Sequence, residues 1–286
     1  MNAAGLNVVE REGWRLTLPQ AFHALPPVIG ARLIERAILI AAGRGGPALR
    51  RSRHAMTHRV RLAAPATGGV IAFVKVIDPP RWIRRIDSAI RGSAASREFR
   101  ILTELAEAGI AAAPLLIIGE EIAGGRTMLA TARIDGDPLP RFLRACGKRK
   151  GLARKRAVLR MLGAEIGRLH QGRFIHGDLT PWNVFVAHGD PIRFVFIDHE
   201  RTARPSRSWQ KTRLRNFVQL CRFDGVGIGN ADRLRIIVAY AGAIGVTDRR
   251  PLVRRIMRML RTRKMRDAAA VSTIASAAGN RGRRTG

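Results

Sequence analysis

The spacing of apolar positions divides this chain into a strand-rich first half and a helical second half. In the first half, apolar segments of strand length lie between turns that contain glycine and proline, a pattern typical of β-strands. Strands are expected at about residues 14–18, 57–62, 70–76, 115–120 and 127–134. One helix is expected at about residues 94–108, because Gly109 follows as a stop signal.

In the second half, apolar side chains recur at helical spacing. Val158, Leu162, Ile166 and Leu169 mark one face of a long helix that ends at Gly172. Further helices are expected at about residues 209–221, 231–242 and 251–265, with short strands at about 174–175, 184–186 and 194–197. Strands, one helix, more strands and then helices together predict an α+β fold.

At Gly136-Asp137-Pro138 the spacing of apolar residues changes from strand-like to helical, which predicts a boundary between two structural regions. We expect an N-terminal extension at residues 1–48, a β-rich region at 49–135, a mainly helical region at 136–270 and a flexible basic tail at 271–286. The extension contains an apolar helix that could pack on its own domain or lie on a membrane surface. We expect no signal peptide and no segment long enough to span a bilayer.

The formal charge of +31 separates this chain from an average globular protein, although its hydrophobic fraction of 46% is ordinary. The surplus comes from arginine, because only six of the 52 basic residues are lysines. It indicates either a phosphate-rich or anionic-lipid partner, or a genome that favours arginine codons. Basic clusters lie at residues 141–160, 201–222 and 249–266. With 5% aromatic residues and no stacking platform, a nucleic-acid partner is not expected.

Two cysteines, Cys146 and Cys221, are too few and too far apart in sequence for a disulfide framework or a metal cluster. They favour a reducing compartment, and we therefore expect a cytoplasmic protein.

The candidate chemistry lies in a loop that runs from His176 to Asn183 and in a carboxylate, Asp198, that ends the next apolar strand. Asp178 could act as a base, whereas Asn183 and Asp198 offer the hard oxygen ligands that suit Mg²⁺. The spacing H-x-D-x-x-x-x-N is the pattern of phosphoryl-transfer enzymes, in which the Asp receives the substrate hydroxyl.

Lys75 and Glu98 are candidates for a second part of the same site. Lys75 lies in an apolar strand, where a buried ammonium needs an anionic partner unless its end reaches water. Glu98 shares one helix face with Leu102 and Leu105, so its side chain is expected to point towards the core rather than to solvent.

These residues resemble those of the two-lobed protein kinase fold. The resemblance makes Lys75 the lysine that holds the nucleotide phosphates, Glu98 its helix partner, and residues 49–135 the nucleotide-binding lobe. It implies ATP and Mg²⁺, with Asn183 and Asp198 on the metal, Asp178 as catalytic base and His176 bracing the loop. The chain departs from regulated protein kinases, because it has no glycine-rich loop between the first strands and no long activation segment.

Within that fold, residues 70–222 resemble the lipopolysaccharide core kinases, which phosphorylate Kdo or heptose. The similarity lies in the strand Lys75, the Arg97-Glu98-Phe99 helix, the loop at 176–184, the I-D-x-x-R segment ending at Arg201 and the Leu214-Arg215-Asn216-Phe217 helix. Aminoglycoside and choline phosphotransferases share the loop, so a small-molecule phosphotransferase stays open. A non-catalytic pseudokinase that binds acidic surfaces is the third hypothesis.

The resemblance implies an ATP-dependent kinase that acts on a sugar hydroxyl of an acidic glycolipid. Such an acceptor implies peripheral contact with the anionic inner face of the inner membrane.

Overall fold

A computed structural model describes residues 7–52, 54–63, 69–78, 93–146, 151–205, 209–222 and 228–262. The α+β class is confirmed, and the arrangement of sheet and helices is consistent with a two-lobed kinase-like fold. Most of the loop predicted at 78–91, the basic stretch at 148–150 and the tail at 271–286 lie outside the described residues.

The described residues form two compact units. The first contains the chain up to Gly136 together with Ala187–Thr202, and the second contains Asp137–Val186 and the chain from Ala203 onward. The return of Ala187–Thr202 to the first unit was not expected.

An antiparallel sheet forms the first unit. Its strands are β1 (Asn7–Arg11), β2 (Trp14–Leu18), β3 (Arg50–Arg51), β4 (Ala55–Leu62), β5 (Val70–Ile77), β6 (Leu115–Glu121) and β7 (Thr127–Ala132). Their order in the sheet is β1-β2-β6-β7-β5-β4-β3. Strand β5 therefore lies inside the sheet, and Lys75 is opposite Thr57 on β4 and Leu129 on β7. A residue on such a strand has a fixed position, because hydrogen bonds hold the backbone on both sides.

Described residues of the predicted extension over 1–48 pack in the core of this sheet. After the short helix α1 (Gln20–His23), helix α2 (Pro27–Ala41) packs its apolar face against the sheet. Leu16 of β2 and Leu33 of α2 are both fully buried in the same cluster. Burial of this face removes the membrane-surface alternative for α2, since the apolar side chains already have a protein partner. Among the described residues, no helix is long and apolar enough to cross a membrane.

Helix α3 (Ala94–Glu107) lies against the sheet in the first unit. Ser93 caps it by accepting a hydrogen bond from Ser96 N at 3.0 Å. Ala95, fully buried, packs in a cluster with Ile118 and Leu129, which fixes the face that carries Glu98. The same helix contacts a 3₁₀ turn, His199–Arg201, that follows the short strand β10 (Phe194–Phe196).

The second unit is mainly helical. It contains α4 (Leu139–Ala145), α5 (Leu152–Gln171), α6 (Trp209–Leu220), α7 (Asn230–Ala243) and the helical residues 249–262, here α8, with strand residues in β8 (Gly136–Pro138) and β9 (Val184–Ala187). The four periodic residues of α5, Val158, Leu162, Ile166 and Leu169, are all fully buried, as their spacing predicts.

Candidate active site

Lys75 is the centre of a charged cluster in the first unit. Its Nζ lies 3.2 Å from Asp198 Oδ1 and 2.6 Å from Glu200 Oε1. Burial disfavours the ammonium, but Asp198, Glu200 and Glu98 outweigh that cost and raise the pKa of Lys75. Lys75 therefore stays a cation, and its anionic partners are those that a lysine on an interior strand requires.

Glu98 acts on Lys75 through its charge, since the ion pairs of Lys75 within the described residues are with Asp198 and Glu200. Burial raises the pKa of Glu98 to about 7, opposed by Lys75 and a backbone hydrogen bond from His199. Its Oε2 is buried and has no hydrogen-bond partner among the described residues. The carboxyl group is thus poised between its neutral and charged forms near neutral pH.

Asp198 adopts a left-handed backbone conformation, with φ of 67° and ψ of 62°. Non-glycine residues rarely adopt this conformation, which needs surrounding contacts to persist. His199 supplies two of them: its Nε2 donates to Phe196 O at 3.2 Å, and its Nδ1 accepts from Thr202 Oγ1 at 3.1 Å. The buried imidazole therefore holds the turn that presents Asp198 and Glu200 to Lys75.

The second unit contains the other predicted site residues, which lie in the loop from His176 to Asn183. Gly177 has a φ of 75°, which a side chain would disfavour. Backbone bonds from Asp178 N to His176 O at 2.9 Å and from Thr180 N to Asp178 O at 2.8 Å tighten the loop. Leu179 is fully buried and anchors it.

The Asp178 carboxylate is held on both oxygens by neutral amide donors. Gln219 Nε2 on α6 donates to Oδ1 at 2.7 Å, and Asn183 Nδ2 donates to Oδ2 at 3.1 Å. Asn183 Nδ2 also donates to the Asp178 carbonyl at 2.9 Å. Amide donors fix the orientation of the carboxylate and carry no charge of their own.

A buried polar network supports His176, whose side chain is fully buried. The backbone N of His176 donates to Asn216 Oδ1 at 3.4 Å, and the same oxygen accepts from His170 Nε2 at 3.1 Å. Burial lowers the pKa of His170 to about 4, so this ring is neutral and its Nδ1 accepts from the Tyr240 hydroxyl at 2.9 Å. The network fixes the start of the loop to α6 and α7.

The predicted site residues thus fall into two groups. The structure places Lys75, Glu98 and Asp198 together in the first unit, and His176, Asp178 and Asn183 together in the second.

Two contacting residues, Glu200 and Gln219, were missed by sequence reasoning. Glu200 could have been found as a second carboxylate just after Asp198. Gln219 carries no local signal, because it reaches Asp178 across 41 residues of sequence.

Each unit contains one of the two predicted magnesium ligands, Asp198 in the first and Asn183 in the second. Within the described residues, no group of three or more His, Cys, Asp or Glu side chains could hold a metal ion by itself. Mg²⁺ commonly takes only one or two protein carboxylates and completes its shell with substrate phosphates and water. Asp198 and the side-chain oxygen of Asn183 are hard donors of that kind.

A family model described as lipopolysaccharide kinase (Kdo/WaaP) family matches residues 87–240, more than half of the chain. The matched region includes Glu98, His176, Asp178, Asn183 and Asp198, whereas Lys75 precedes it. A search of curated proteins found no match.

Proposed function

The chain belongs to the lipopolysaccharide kinase (Kdo/WaaP) family, and from this premise we propose that it transfers the γ-phosphoryl group of ATP, with Mg²⁺, to a hydroxyl of a lipopolysaccharide core sugar. The observation that carries the proposal is the double anchoring of Asp178 by Gln219 and Asn183. A carboxylate held in one orientation by uncharged donors is suited to accept the proton of an attacking alcohol.

In the proposed reaction, Asp178 orients the acceptor hydroxyl and takes its proton as the oxygen attacks phosphorus and the bond to ADP breaks. Gln219 and Asn183 hold the carboxylate in place. His176 and Asn216 fix the backbone from which Asp178 projects. Phosphoryl transfer demands little covalent chemistry of the protein, so positioning of this kind contributes most of the catalysis.

Lys75 supplies positive charge for the phosphate oxygens of the nucleotide. Its ion pairs with Asp198 and Glu200 keep the ammonium in place on β5, and Glu98 adds negative charge on the helix side. Asp198 and Asn183 would hold Mg²⁺, which when bound offsets the negative charge of the transferred group.

The test is transfer of labelled phosphate from ATP to core glycolipid extracted from Gram-negative cells. Asp178→Ala should lower the rate by about 10²- to 10⁴-fold, the usual contribution of a general base. Asp190→Asn, in an exposed turn, is the control for loss of a carboxylate and should retain full activity. Full transfer by a correctly folded Asp178→Ala variant would contradict the proposal.

We propose further that the protein works at the inner face of the inner membrane, where its net charge of +31 attracts anionic lipid. Co-sedimentation with vesicles of anionic phospholipid should be strong at low salt and weak at high salt. A phosphotransferase for small dissolved substrates would stay in the supernatant at both salt concentrations.

A further inference from the structure

A cavity of about 690 Å³ opens beside the catalytic loop within the second unit. Gly177 of the loop and Gln219 of α6 line it, and Gln219 is the residue that donates to Asp178. Its volume lies within the range of about 300–1,000 Å³ that is usual for small-ligand sites. The cavity therefore reaches the residues that orient the proposed base.

Three arginines surround this cavity. Arg215 lies on α6, Arg222 lies two residues after the end of α6, and Arg258 lies on α8. Arg215 and Gln219 are four residues apart on α6, so they share one face of the helix. The face that fixes Asp178 through Gln219 thus carries a guanidinium group one turn before that contact, and Arg222 follows just beyond the end of the helix.

The charge of the cavity has one sign, because its described lining contains three arginines and no acidic side chain. Arg215 and Arg258 are exposed and can reach a ligand from solvent. A cleft lined by one sign of charge concentrates ligands of the opposite sign. Guanidinium groups bind carboxylate and phosphate through paired N–H donors, which gives orientation as well as attraction.

We propose that this cavity binds an anionic group of the acceptor, a carboxylate or a phosphate, and that Arg215, Arg222 and Arg258 recognise it. This inference rests on the proposed function and specifies the acceptor: a sugar that carries its own negative charge near the hydroxyl to be phosphorylated. Binding of that group beside Gln219 places the acceptor next to Asp178.

The first test uses a water-soluble acceptor, prepared by removing the acyl chains from core glycolipid, so that membrane attraction plays no part. Arg215→Gln and Arg258→Gln should each raise the KM for the acceptor about tenfold, the usual effect of losing one charge-assisted hydrogen bond. The KM for ATP should change by less than about twofold, since the nucleotide is not the ligand of this cavity.

Matched controls exist on the same two helices. Lys211→Gln on α6 and Arg254→Gln on α8 remove one charge from exposed positions that do not line the cavity. Both controls should keep the acceptor KM of the wild type. An equal rise in all four variants would mean that general charge, and not this cavity, attracts the acceptor, and would overturn the inference.

The second test identifies the anionic group. The acceptor is used intact, with its carboxylates reduced to alcohols, or with its phosphates removed. One of the two treatments should raise the KM with the wild type and have little further effect with Arg215→Gln, since the recognised charge is already lost. Unchanged KM values after both treatments would overturn the inference.

Titration calorimetry of the same acceptor separates failure of this inference from failure of the proposed function. If phosphoryl transfer is normal and the acceptor KM of the arginine variants is unchanged, the cavity does not bind the acceptor. The proposed kinase activity is still supported in that case. No transfer, but binding that Arg215→Gln and Arg258→Gln weaken, would reject the activity and support the cavity. No binding to the wild type would reject the cavity directly.

Discussion

At the scale of single residues, Gln219 gives the sharpest prediction, because its proposed role in the reaction is to orient Asp178. Gln219→Ala should lower kcat by about 10- to 100-fold, the cost of losing a hydrogen bond to a charged group of about 1.5–3 kcal/mol. The KM for ATP should be unchanged. Gln210→Ala, at an exposed position on the same helix, is the control and should leave kcat unaffected. A purely structural role would lower stability and leave kcat per folded molecule intact.

Glu98 should make stability depend on pH, because its pKa is raised from 4.5 to about 7 by burial. Between those values the folded state binds more protons than the unfolded state, so the free energy of unfolding falls as pH rises. Glu98→Gln removes the titration. The stability of the wild type relative to this variant should fall by roughly 3 kcal/mol between about pH 4.5 and 8, measured by urea denaturation. If the stabilities of the wild type and Glu98→Gln change in parallel with pH, the Glu98 carboxyl group is not buried as described.

The candidate residues that sequence reasoning identified share a local signature. Asp178 and Asn183 lie on one short loop, and Lys75 stands out as a charge within an apolar strand. Gln219 and Asn216 have no such signature, since their partners are distant in sequence and appear only when α6 packs against the loop. Tertiary contacts of this kind cannot be read from spacing.

At the scale of elements, α5 and α7 pack closely because α5 has glycine where they meet. A Cβ at Gly163 would lie 2.3 Å from Ile236 O, a backbone atom that cannot move aside cheaply. Gly163→Ala should therefore destabilise the protein by about 1–3 kcal/mol, although alanine favours helix.

Gly242 is the matched control for this prediction. It lies on α7, and a Cβ there would meet no atom closer than 3.7 Å, so Gly242→Ala should stabilise the protein by about 0.5–1 kcal/mol. Both values follow from denaturant unfolding. Equal effects of the two substitutions would contradict the close packing of α5 on α7.

Element prediction succeeded where periodicity is strong and failed where an element depends on a distant partner. Helix α5 and strand β2 were predicted from their patterns. Strand β1 was missed, because all five of its side chains are exposed and give no alternation. The pairing of β2 with β6, about one hundred residues away, was not predicted, because local patterns do not reveal such a partner.

At the scale of the whole molecule, nucleotide binding separates the kinase hypotheses from the non-catalytic one. A ligand that binds only the folded state stabilises it and so raises the melting temperature. At a ligand concentration of one hundred times Kd, the free energy of unfolding rises by about 2.7 kcal/mol. Mg-ATP should therefore stabilise the wild type by several degrees and Lys75→Gln much less. Lys211→Gln, an exposed lysine, should respond like the wild type. No shift in the wild type would favour the non-catalytic hypothesis and argue that the missing glycine-rich loop has abolished nucleotide binding.

The most direct test of the central claim is the mass of the acceptor after incubation of purified protein with ATP, Mg²⁺ and extracted core glycolipid. We expect a product heavier by one phosphate group, located on a core sugar by fragmentation, with one ADP released for each product molecule. Asp178→Asn, which keeps the shape of the side chain but cannot take the proton, should yield no product beyond background. An unmodified glycolipid after incubation with correctly folded protein, or the same product from Asp178→Asn, would contradict the account.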